Sequence, residues 1–345
     1  MTFDICNWTP DEGADPTTHT FTFGGREGVV SIKPGAFIDS WSFDCFGGQV
    51  KSASDMSTQV CDPRFLNPQT GPFYVEGAEP GDTLAVHFVS IEPREAWGVS
   101  TTVPFFGALT STATTATLQP ALLERTWIYE LDLKERLVRY AAADTKFTAA
   151  LPLDPMHGTV GVAPALGEVR SSLTPGDWGG NMDTPEMRAG VTCYLGVNVE
   201  GALFSFGDGH ARQGEGETCG VAVETAMDTV MIIDLIKGTP TPWPRIESDD
   251  FIITTGSTKP LEDAFRIAHS QMVHWVSELT GQSTLDSYQF VAQTALTPVA
   301  NVVDTNYTMV AKVSKEYLGS VNVMQGMHQK MRALAAQWHD YKKGK

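Results

Sequence analysis

The stretch Gly201–Glu224 reads GALFSFGDGHARQGEGETCGVAVE, and the rest of the chain is best understood from it. It opens with the apolar run Ala202–Phe206, passes through the polar segment Gly207–His210 and closes with a second apolar run, Cys219–Val223. Both apolar runs have the length of a strand, so the pattern predicts a glycine-rich loop between two strands. This loop concentrates Asp, His and Glu side chains, which transfer protons or bind metals.

An acidic, glycine-rich loop can also be a solvated hairpin turn. Similar polar segments elsewhere in the chain favour a functional site, because each of them follows a predicted strand and contains turn-forming residues. Together they supply carboxylates, one histidine and three carboxamides, a set suited to hydrolysis by activated water or a bound metal. The four segments are Asp44–Gln49, Glu76–Glu79, Asn181–Asp183 and Asp208–Glu217.

Composition excludes several classes of protein. The net charge of −17 argues against a nucleic-acid-binding protein, since phosphates require Lys and Arg surfaces. No apolar run approaches the ~20 residues of a membrane span, and the polar, acidic N-terminus is unlike a secretory signal. The five cysteines form no CxxC pair, which predicts reduced thiols and a cytoplasmic protein.

The order of predicted elements favours a mainly β fold, a sandwich or barrel-like core, with a small α+β portion at the C-terminal end. Thr83–Ile91 alternates apolar and polar residues as a strand does, whereas Lys259–Leu279 has the period of an amphipathic helix. We divide the chain into a β-rich core at 1–250, an α/β portion at 251–313 that completes it, and a terminal helix at 314–345. That helix is a candidate oligomer contact.

Several catalytic signatures are missing. The sequence contains no GxSxG elbow, HExxH pair, P-loop or dinucleotide-binding glycine motif. Cys45 could be a nucleophile, although a small buried thiol is the more frequent role of a free cysteine. His87 lies within an alternating strand, where a core or sheet-surface histidine is the simpler interpretation.

Four motifs closely resemble the acetamidase/formamidase family: GPFYVEGAEPGDTL, GTVGVAP, GGNMD and GALFSFGDGHARQGEGETCG. DCFGGQ looks like the family's early acidic motif, and VAQTALTPVANVVD looks less closely like its C-terminal motif. The resemblance covers about residues 18–313. It implies a mostly β, oligomeric, cytoplasmic enzyme that hydrolyses short aliphatic amides to carboxylate and ammonia.

The resemblance carries over to individual positions. They are Asp44, Gln49, Glu76, Asn181, Asp183, Asp208, His210, Gln213 and Glu217. We expect a catalytic group of Asp183, His210 and Glu217, with Glu217 or Asp183 as general base and His210 as acid or metal ligand. We expect Gln49, Glu76, Asn181 and Gln213 to bind substrate, Asn181 and Gln49 as oxyanion donors.

A divalent zinc or calcium ion is a candidate cofactor, and no organic cofactor is expected. Its candidate ligands are Asp44, Asp183, Asp208 and His210, since mixed histidine and carboxylate sets suit such ions. The expected partners are a small-molecule amide and further copies of the same chain in a homo-oligomer, with neither nucleic acid nor membrane.

Two alternatives remain open. The substrate could be another small C–N compound, such as an amidine or a carbamoyl compound, because a fold does not fix a substrate. His157, which stands where the family more often shows an aromatic or aliphatic residue, and Trp178 are the features that could signal it. The second alternative is a non-enzymatic binding protein on the same scaffold, whose Asp183, His210 and Glu217 would point to separate surfaces.

Overall fold

The strand Thr83–Pro93 contributes alternate side chains to two separate hydrophobic cores. Leu84 and Phe88 belong to the larger core, whereas Ala85 and Val89 belong to the smaller one. Because successive side chains of a strand point to opposite faces of its sheet, a single sheet separates the two cores.

The computed structural model describes residues 3–110 and 120–344, and these contain the following elements. The strands are β1 Ile5–Cys6, β2 Thr22–Phe23, β3 Val30–Ile32, β4 Phe37–Ser42, β5 Gln69–Val75, β6 Thr83–Pro93, β7 Trp97–Thr102, β8 Arg125–Asp132, β9 Leu137–Ala141, β10 Thr148–Pro152, β11 Met156–Gly161, β12 Arg170–Ser171, β13 Gly179–Asn181, β14 Thr192–Gly196, β15 Phe204–Arg212, β16 Val223–Glu224, β17 Met227–Ile236, β18 Arg245–Glu247, β19 Phe251–Thr258, β20 Val299–Asn301 and β21 Tyr307–Ser314. The helices are α1 Ser57–Val60, α2 Leu261–Thr280, α3 Thr284–Thr294 and α4 Met327–Lys343.

Two large sheets and one small one organise these strands. The nine-stranded sheet has the order β1-β4-β17-β6-β14-β18-β19-β21-β20. The ten-stranded sheet has the order β10-β9-β8-β7-β16-β15-β11-β13, with β5 also paired to β15 and β3 to β5. Strands β12 and β2 form the two-stranded sheet.

The large sheets pack face to face over the larger core, to which Phe204 and Phe206 of β15 and Met231 of β17 contribute. The other face of the nine-stranded sheet is covered by α2 and α4, whose buried residues join the smaller core. Trp338 of α4 stacks on Phe37 of β4 with ring centroids 4.7 Å apart. The prediction of a mainly β fold with a small helical portion near the C-terminal end is therefore confirmed.

One local prediction is wrong: Gly207–His210 is not a loop but part of β15, Phe204–Arg212. The glycines permit close contact with neighbouring strands rather than a turn. A Cβ atom on Gly207 would lie 2.8 Å from the carbonyl oxygen of Pro68, and one on Gly209 would lie 2.5 Å from that of Thr225. The catalytic candidates in this segment are consequently held by a sheet.

The second apolar run, Cys219–Val223, is likewise not a strand, because only Val223 belongs to β16. The predicted helices are present with shifted ends. The helix expected at Lys259–Leu279 is α2, and the one expected near the C-terminus begins at Met327, after a short 3-10 helix. Residues 98–120 are rich in Thr, Gly and Ala without a helical period, which predicts a flap or an irregular loop. The structure places most of strand β7, Trp97–Thr102, in this range, and 111–119 lie outside the described residues. Within the described chain, none of the helices combines the length and apolarity that crossing a membrane requires.

Candidate active site

Segments that are distant in sequence bring their polar side chains to one buried site. Strand β15 carries Asp208 and His210, and β16 pairs with it so that Glu224 lies directly opposite His210. Asp183 follows β13, and Glu217 lies in the loop after β15. Asp183, His210 and Glu217 each offer a ligand atom within 4.8 Å of the others, so the three predicted catalytic residues converge.

His210 is held in a defined orientation by Gln213. The distance between His210 Nδ1 and Gln213 Oε1 is 3.0 Å. The amide nitrogen of Gln213 donates to the carbonyl oxygens of Asp183, at 2.6 Å, and Ala300, at 3.0 Å. Because this nitrogen is already used as a donor, Gln213 Oε1 accepts from His210 Nδ1–H. The other ring nitrogen, Nε2, therefore faces the carboxylates.

Four buried polar atoms at the site have no hydrogen-bond partner among the described residues: Asp183 Oδ1, Asp208 Oδ1, His210 Nε2 and Glu224 Oε2. His210 Nε2 lies 3.3 Å from Asp208 Oδ1 and 3.2 Å from Glu224 Oε1, close enough for an ion pair but not aligned for a hydrogen bond. Buried polar groups are nearly always satisfied, so such a cluster indicates a site for a cation or a polar ligand.

Asn181 joins two of the carboxylates. Its Nδ2 donates to Asp183 Oδ2 at 3.0 Å and to Asp304 Oδ2 at 2.9 Å. Its Oδ1 accepts from the amide of Asn67 at 2.8 Å and from the hydroxyl of Thr159. Both amide hydrogens of Asn181 are therefore occupied, and this side chain orients carboxylates rather than offering a free donor to an oxyanion.

Burial changes the protonation of the carboxyl groups. Burial raises the pKa of Asp183 well above its ordinary value, and the neighbouring Glu217 raises it further. Burial likewise raises the pKa of Glu224 to about 7 and that of Asp304 to about 7. Removal from water disfavours the charged carboxylate, so these groups hold protons near neutral pH until a positive charge replaces them.

The pKa of the His210 imidazole is raised, as expected for a histidine surrounded by carboxylates. Burial alone would lower the pKa of His210, but the carboxylates of Glu224 and Asp208 outweigh burial and raise that pKa well above its ordinary value. In the absence of another cation, His210 is thus protonated and acts as their counter-charge. A metal ion would compete with that proton for Nε2.

The backbone at the site is strained. Asp183, Asp208 and Glu217 have φ angles of 45°, 60° and 46°, in the left-handed region that L-residues with side chains rarely adopt. Such conformations persist only where the surrounding structure enforces them, and they cluster at functional sites.

Gly158 brings the backbone of β11 into close contact with the carboxylates. A Cβ atom at this position would lie 2.4 Å from Asp183 Oδ1, 2.6 Å from Asp208 Oδ2 and 2.9 Å from His210 Cε1. No side chain fits there, so only a glycine on β11 permits this close approach to two carboxylates and one imidazole.

A cavity of about 400 Å³ opens onto this cluster. We call the apolar side chains of its lining the wall and the polar groups of its lining the floor. The cavity can therefore hold an alkyl group against the wall and a carbonyl against the floor. The wall includes Phe46, Leu66, Val103, Phe106 and Val221, and the floor includes Asn67, Asn181, Asp208, Glu217, Glu224 and Asp304.

Asp183, His210 and Gln213 do not line the cavity but belong to the cluster around His210. Three further predicted residues lie apart from both the cavity and the cluster. Asp44 accepts backbone N–H groups from Phe46, at 2.8 Å, and Gly48, at 3.0 Å, so it organises its own turn and is not in either group of convergent ligand atoms. Gln49 donates to the carbonyl oxygen of Phe46 in that turn. Glu76 is exposed and accepts from Ser31. Their positions give no support to the predicted metal and substrate contacts.

His157 also lies outside the cavity lining. It is buried between strands, with Nδ1 3.0 Å from the carbonyl oxygen of Gly207 and Nε2 2.8 Å from Thr229 Oγ1. Trp178 is buried beneath Arg170 and does not line the cavity either. Both side chains therefore act in packing. His87, buried in β6 and bonded to Thr192, is a core histidine as expected.

Cys45 lines the cavity, but its surroundings oppose a nucleophilic role. Burial raises the pKa of the Cys45 thiol well above its ordinary value, and the Glu224, Asp208 and Asp44 carboxylates raise it further. The thiolate is the reactive form, so this cysteine is a poor free nucleophile.

Sequence reasoning missed Glu224, Asp304 and Asn67. Glu224 ends the quoted stretch but follows an apolar run, and only its pairing with His210 across two strands reveals its role. Asp304 lies in the VAQTALTPVANVVD segment, and the resemblance of this segment to the family's C-terminal motif was the only signal for it. Asn67 lies in a turn-rich segment that gave no specific signal.

Comparison with known proteins shows the family to which the chain belongs. Residues 26–166 and 164–310 match the sequence model of the acetamidase/formamidase family. The chain is 30% identical to an acetamidase of Mycolicibacterium smegmatis over 262 residues, covering 61% of this chain and 64% of that protein. It is 28% identical to a putative formamidase of Schizosaccharomyces pombe over 257 residues, covering 60% of this chain and 61% of that protein.

The match thus spans less than two thirds of the length of these curated relatives. A crystal structure of acetamidase from Yersinia enterocolitica superimposes with a TM-score of 0.86 at 36% identity, covering 93% of this chain and 94% of that one. Sequence and structure agree, and the chain belongs to the acetamidase/formamidase family.

Proposed function

We propose that this chain hydrolyses the C–N bond of a short aliphatic amide, releasing a carboxylate and ammonia. The observation that carries the proposal is the cavity of about 400 Å³, whose apolar wall ends on a floor of buried carboxyl and carboxamide groups. This volume is at the small end of ligand pockets. The names of the related acetamidase and putative formamidase support the same substrate class.

The substrate lies with its alkyl group against Phe46, Val103 and Val221 and its carboxamide towards the polar floor. In this orientation the scissile carbon approaches Glu217 and Asp304, two acidic residues on the floor whose pKa is raised by burial.

Glu217 acts as the general base in this proposal. Burial raises its pKa well above the ordinary value even though His210 opposes the change, so its carboxylate is a stronger base than one in water. It accepts a proton from the attacking water. Asp304, whose pKa is raised to about 7, is protonated part of the time at neutral pH and donates to the leaving nitrogen.

A divalent cation fits the site. Asp183 Oδ1, Asp208 Oδ1 and His210 Nε2 are buried atoms without a partner among the described residues, and Gly158 lies in close contact with the same three side chains. We propose that these three residues hold the ion. Such an ion polarises a carbonyl or a bound water. Zn²⁺ is favoured over Ca²⁺, because an imidazole nitrogen suits zinc whereas calcium prefers oxygen ligands.

Ammonia release from formamide and acetamide tests the proposal. Glu217→Gln should lower the rate by about 10²–10⁴-fold, the usual contribution of a general base, while the protein stays folded. The matched control is Glu215→Gln, an exposed glutamate two positions away that should keep the full rate. His210→Ala should also lose activity. Equal rates for Glu217→Gln and the unmodified protein would remove Glu217 from the mechanism.

The two alternatives are distinguished in the same assay. Ammonia release from an amidine or a carbamoyl compound, without ammonia release from short amides, would favour another C–N substrate. A non-enzymatic protein predicts no release from any of them, but that alternative is disfavoured because Asp183, His210 and Glu217 converge within 4.8 Å.

We also propose a homo-oligomer in the cytoplasm, as the family resemblance implies. Light scattering of the purified protein measures the subunit number, and a monomer at micromolar concentration would contradict this part of the proposal.

A further inference from the structure

A second group of potential ligand atoms lies beside the cluster around His210. Cys45 Sγ and the carboxylates of Asp208 and Glu224 offer ligand atoms that all lie within 4.8 Å of one another. Asp208 and Glu224 are 3% and 1% exposed, and each has a carboxylate oxygen with no hydrogen-bond partner in the described chain. Buried carboxylate oxygens without partners require a compensating charge or donor.

The charge of the site supports a second cation. Within the part of the chain that the structure describes, His210 is the one basic side chain that forms an ion pair with the buried carboxylates. These carboxylates belong to Asp44, Asp183, Asp208, Glu217, Glu224 and Asp304.

The turn that carries Cys45 is built to present its thiol. Asp44 accepts two backbone N–H groups of the turn, from Phe46 and Gly48, and the backbone N–H of Asn67 donates to the carbonyl oxygen of Cys45 at 2.7 Å. Asp44 Oδ1 therefore helps to shape the turn, while the thiol of Cys45 lies beside Glu224 and Asp208.

We infer that Cys45, Asp208 and Glu224 form a second divalent-cation site, adjacent to the one at His210 and sharing the carboxylate of Asp208 with it. The inference rests on the proposed cation at Asp183, Asp208 and His210. As the bond between Cys45 Sγ and the metal forms, the thiol proton passes to solvent. A thiolate with carboxylates selects a borderline-soft ion such as Zn²⁺ or Co²⁺ over Ca²⁺ or Mg²⁺.

Titration of chelator-treated full-length protein with Co²⁺ tests the inference, because a cobalt–thiolate bond gives a charge-transfer absorption band in the near ultraviolet. We expect two equivalents of Co²⁺ to bind and the band to appear. Cys45→Ser should abolish the band and reduce binding to one equivalent. Cys61→Ser is the matched control, since Cys61 lines the same cavity but does not belong to the group of Cys45, Asp208 and Glu224. This variant should keep the absorption band and bind two equivalents of Co²⁺.

The outcomes are distinguishable. One equivalent of Co²⁺ without a thiolate band would overturn the second site and leave the first intact, whereas no bound Co²⁺ would overturn both. A band that persists in Cys45→Ser would assign it to another thiol and contradict the inference. Glu224→Gln provides an independent variant that keeps the thiol, and it should weaken binding of the second equivalent by at least about tenfold.

Discussion

His210 Nδ1 lies 3.0 Å from Gln213 Oε1, and this contact decides which imidazole nitrogen faces the buried carboxylates. Gln213 is in turn fixed by two carbonyl oxygens, those of Asp183 and Ala300. A hydrogen bond on one ring nitrogen sets the tautomer and the basicity of the other. Gln213 was predicted to bind substrate, but its contacts make it a residue that positions His210.

Replacement of Gln213 should therefore weaken cation binding. Gln213→Met keeps the length of the side chain but removes the acceptor for His210, so we expect about 10–100-fold weaker binding of Zn²⁺ or Co²⁺ in a competition titration. Gln337→Met, an exposed glutamine in α4, is the control and should bind as the unmodified protein does. Equal affinities for the two variants would contradict the positioning role.

Gly158→Ala should disturb the same site from the opposite side. The new methyl group would lie 2.4 Å from Asp183 Oδ1, so the carboxylates must move. Misplacement by about 1 Å can cost about 10²-fold in rate, and we expect a loss of that order in ammonia release together with weaker cation binding. The control is Gly13→Ala, whose methyl group would meet its nearest neighbour, Asp11 Oδ1, at 3.5 Å. Full activity of Gly158→Ala would show that the close approach of Gly158 to the carboxylates is dispensable.

The cation-free protein should lose stability as the pH rises. Burial raises the pKa of Asp304 from 3.8 to about 7. The unfolded chain releases this proton near pH 4 and the folded protein retains it until about pH 7, so the stabilisation is complete below about pH 4 and is lost by about pH 7. A pKa change from 3.8 to about 7 corresponds to about 4 kcal/mol.

Asp304→Asn removes this titration, so its unfolding free energy after chelation should change less between about pH 5 and about pH 8 than that of the unmodified protein. Urea unfolding at the two pH values measures the difference. Asp340→Asn changes an exposed aspartate and should keep the original pH dependence. The same pH dependence in both variants would exclude Asp304 as the titrating group.

The terminal helix α4 should be essential for stability. Trp338 is 3% exposed and stacks on Phe37 of the nine-stranded sheet. Trp338→Ala should therefore lower the free energy of unfolding by about 3–5 kcal/mol, whereas Tyr288→Ala, at a tyrosine that is 60% exposed, should change it little. Denaturant unfolding measures both. A small effect for Trp338→Ala would indicate that α4 is loosely attached, as a segment reserved for another subunit would be.

The fold was largely predictable from the sequence because alternation and helical periodicity report which face of each element is buried. Thr83–Ile91 illustrates this, since its alternating residues do divide between two cores. The segment around Gly207 and Gly209 was misassigned because glycine permits both turns and close strand packing. Only the neighbouring Pro68 and Thr225 carbonyl groups, which are distant in sequence, distinguish the two.

The candidate site was predictable in part, for a similar reason. Asp183, His210 and Glu217 stand in recognisable polar motifs, and the structure brings them together. Glu224 reaches the site through its pairing with His210, a contact that no local pattern encodes. Glu76 occupies a motif position but is exposed on a turn. A residue can belong to a motif because the fold needs it as well as because the chemistry does.

The location of Asp208 and His210 within β15 has a consequence for motion. Their strand is paired on one side with β11 and on the other with β16, so the amide hydrogens here exchange with solvent only when the sheet itself opens. The loops that carry Glu217 and Asp304 can therefore open while Asp208 and His210 keep their places in the strand. The acidic cluster thus joins two members fixed in a sheet to others that are held by loops.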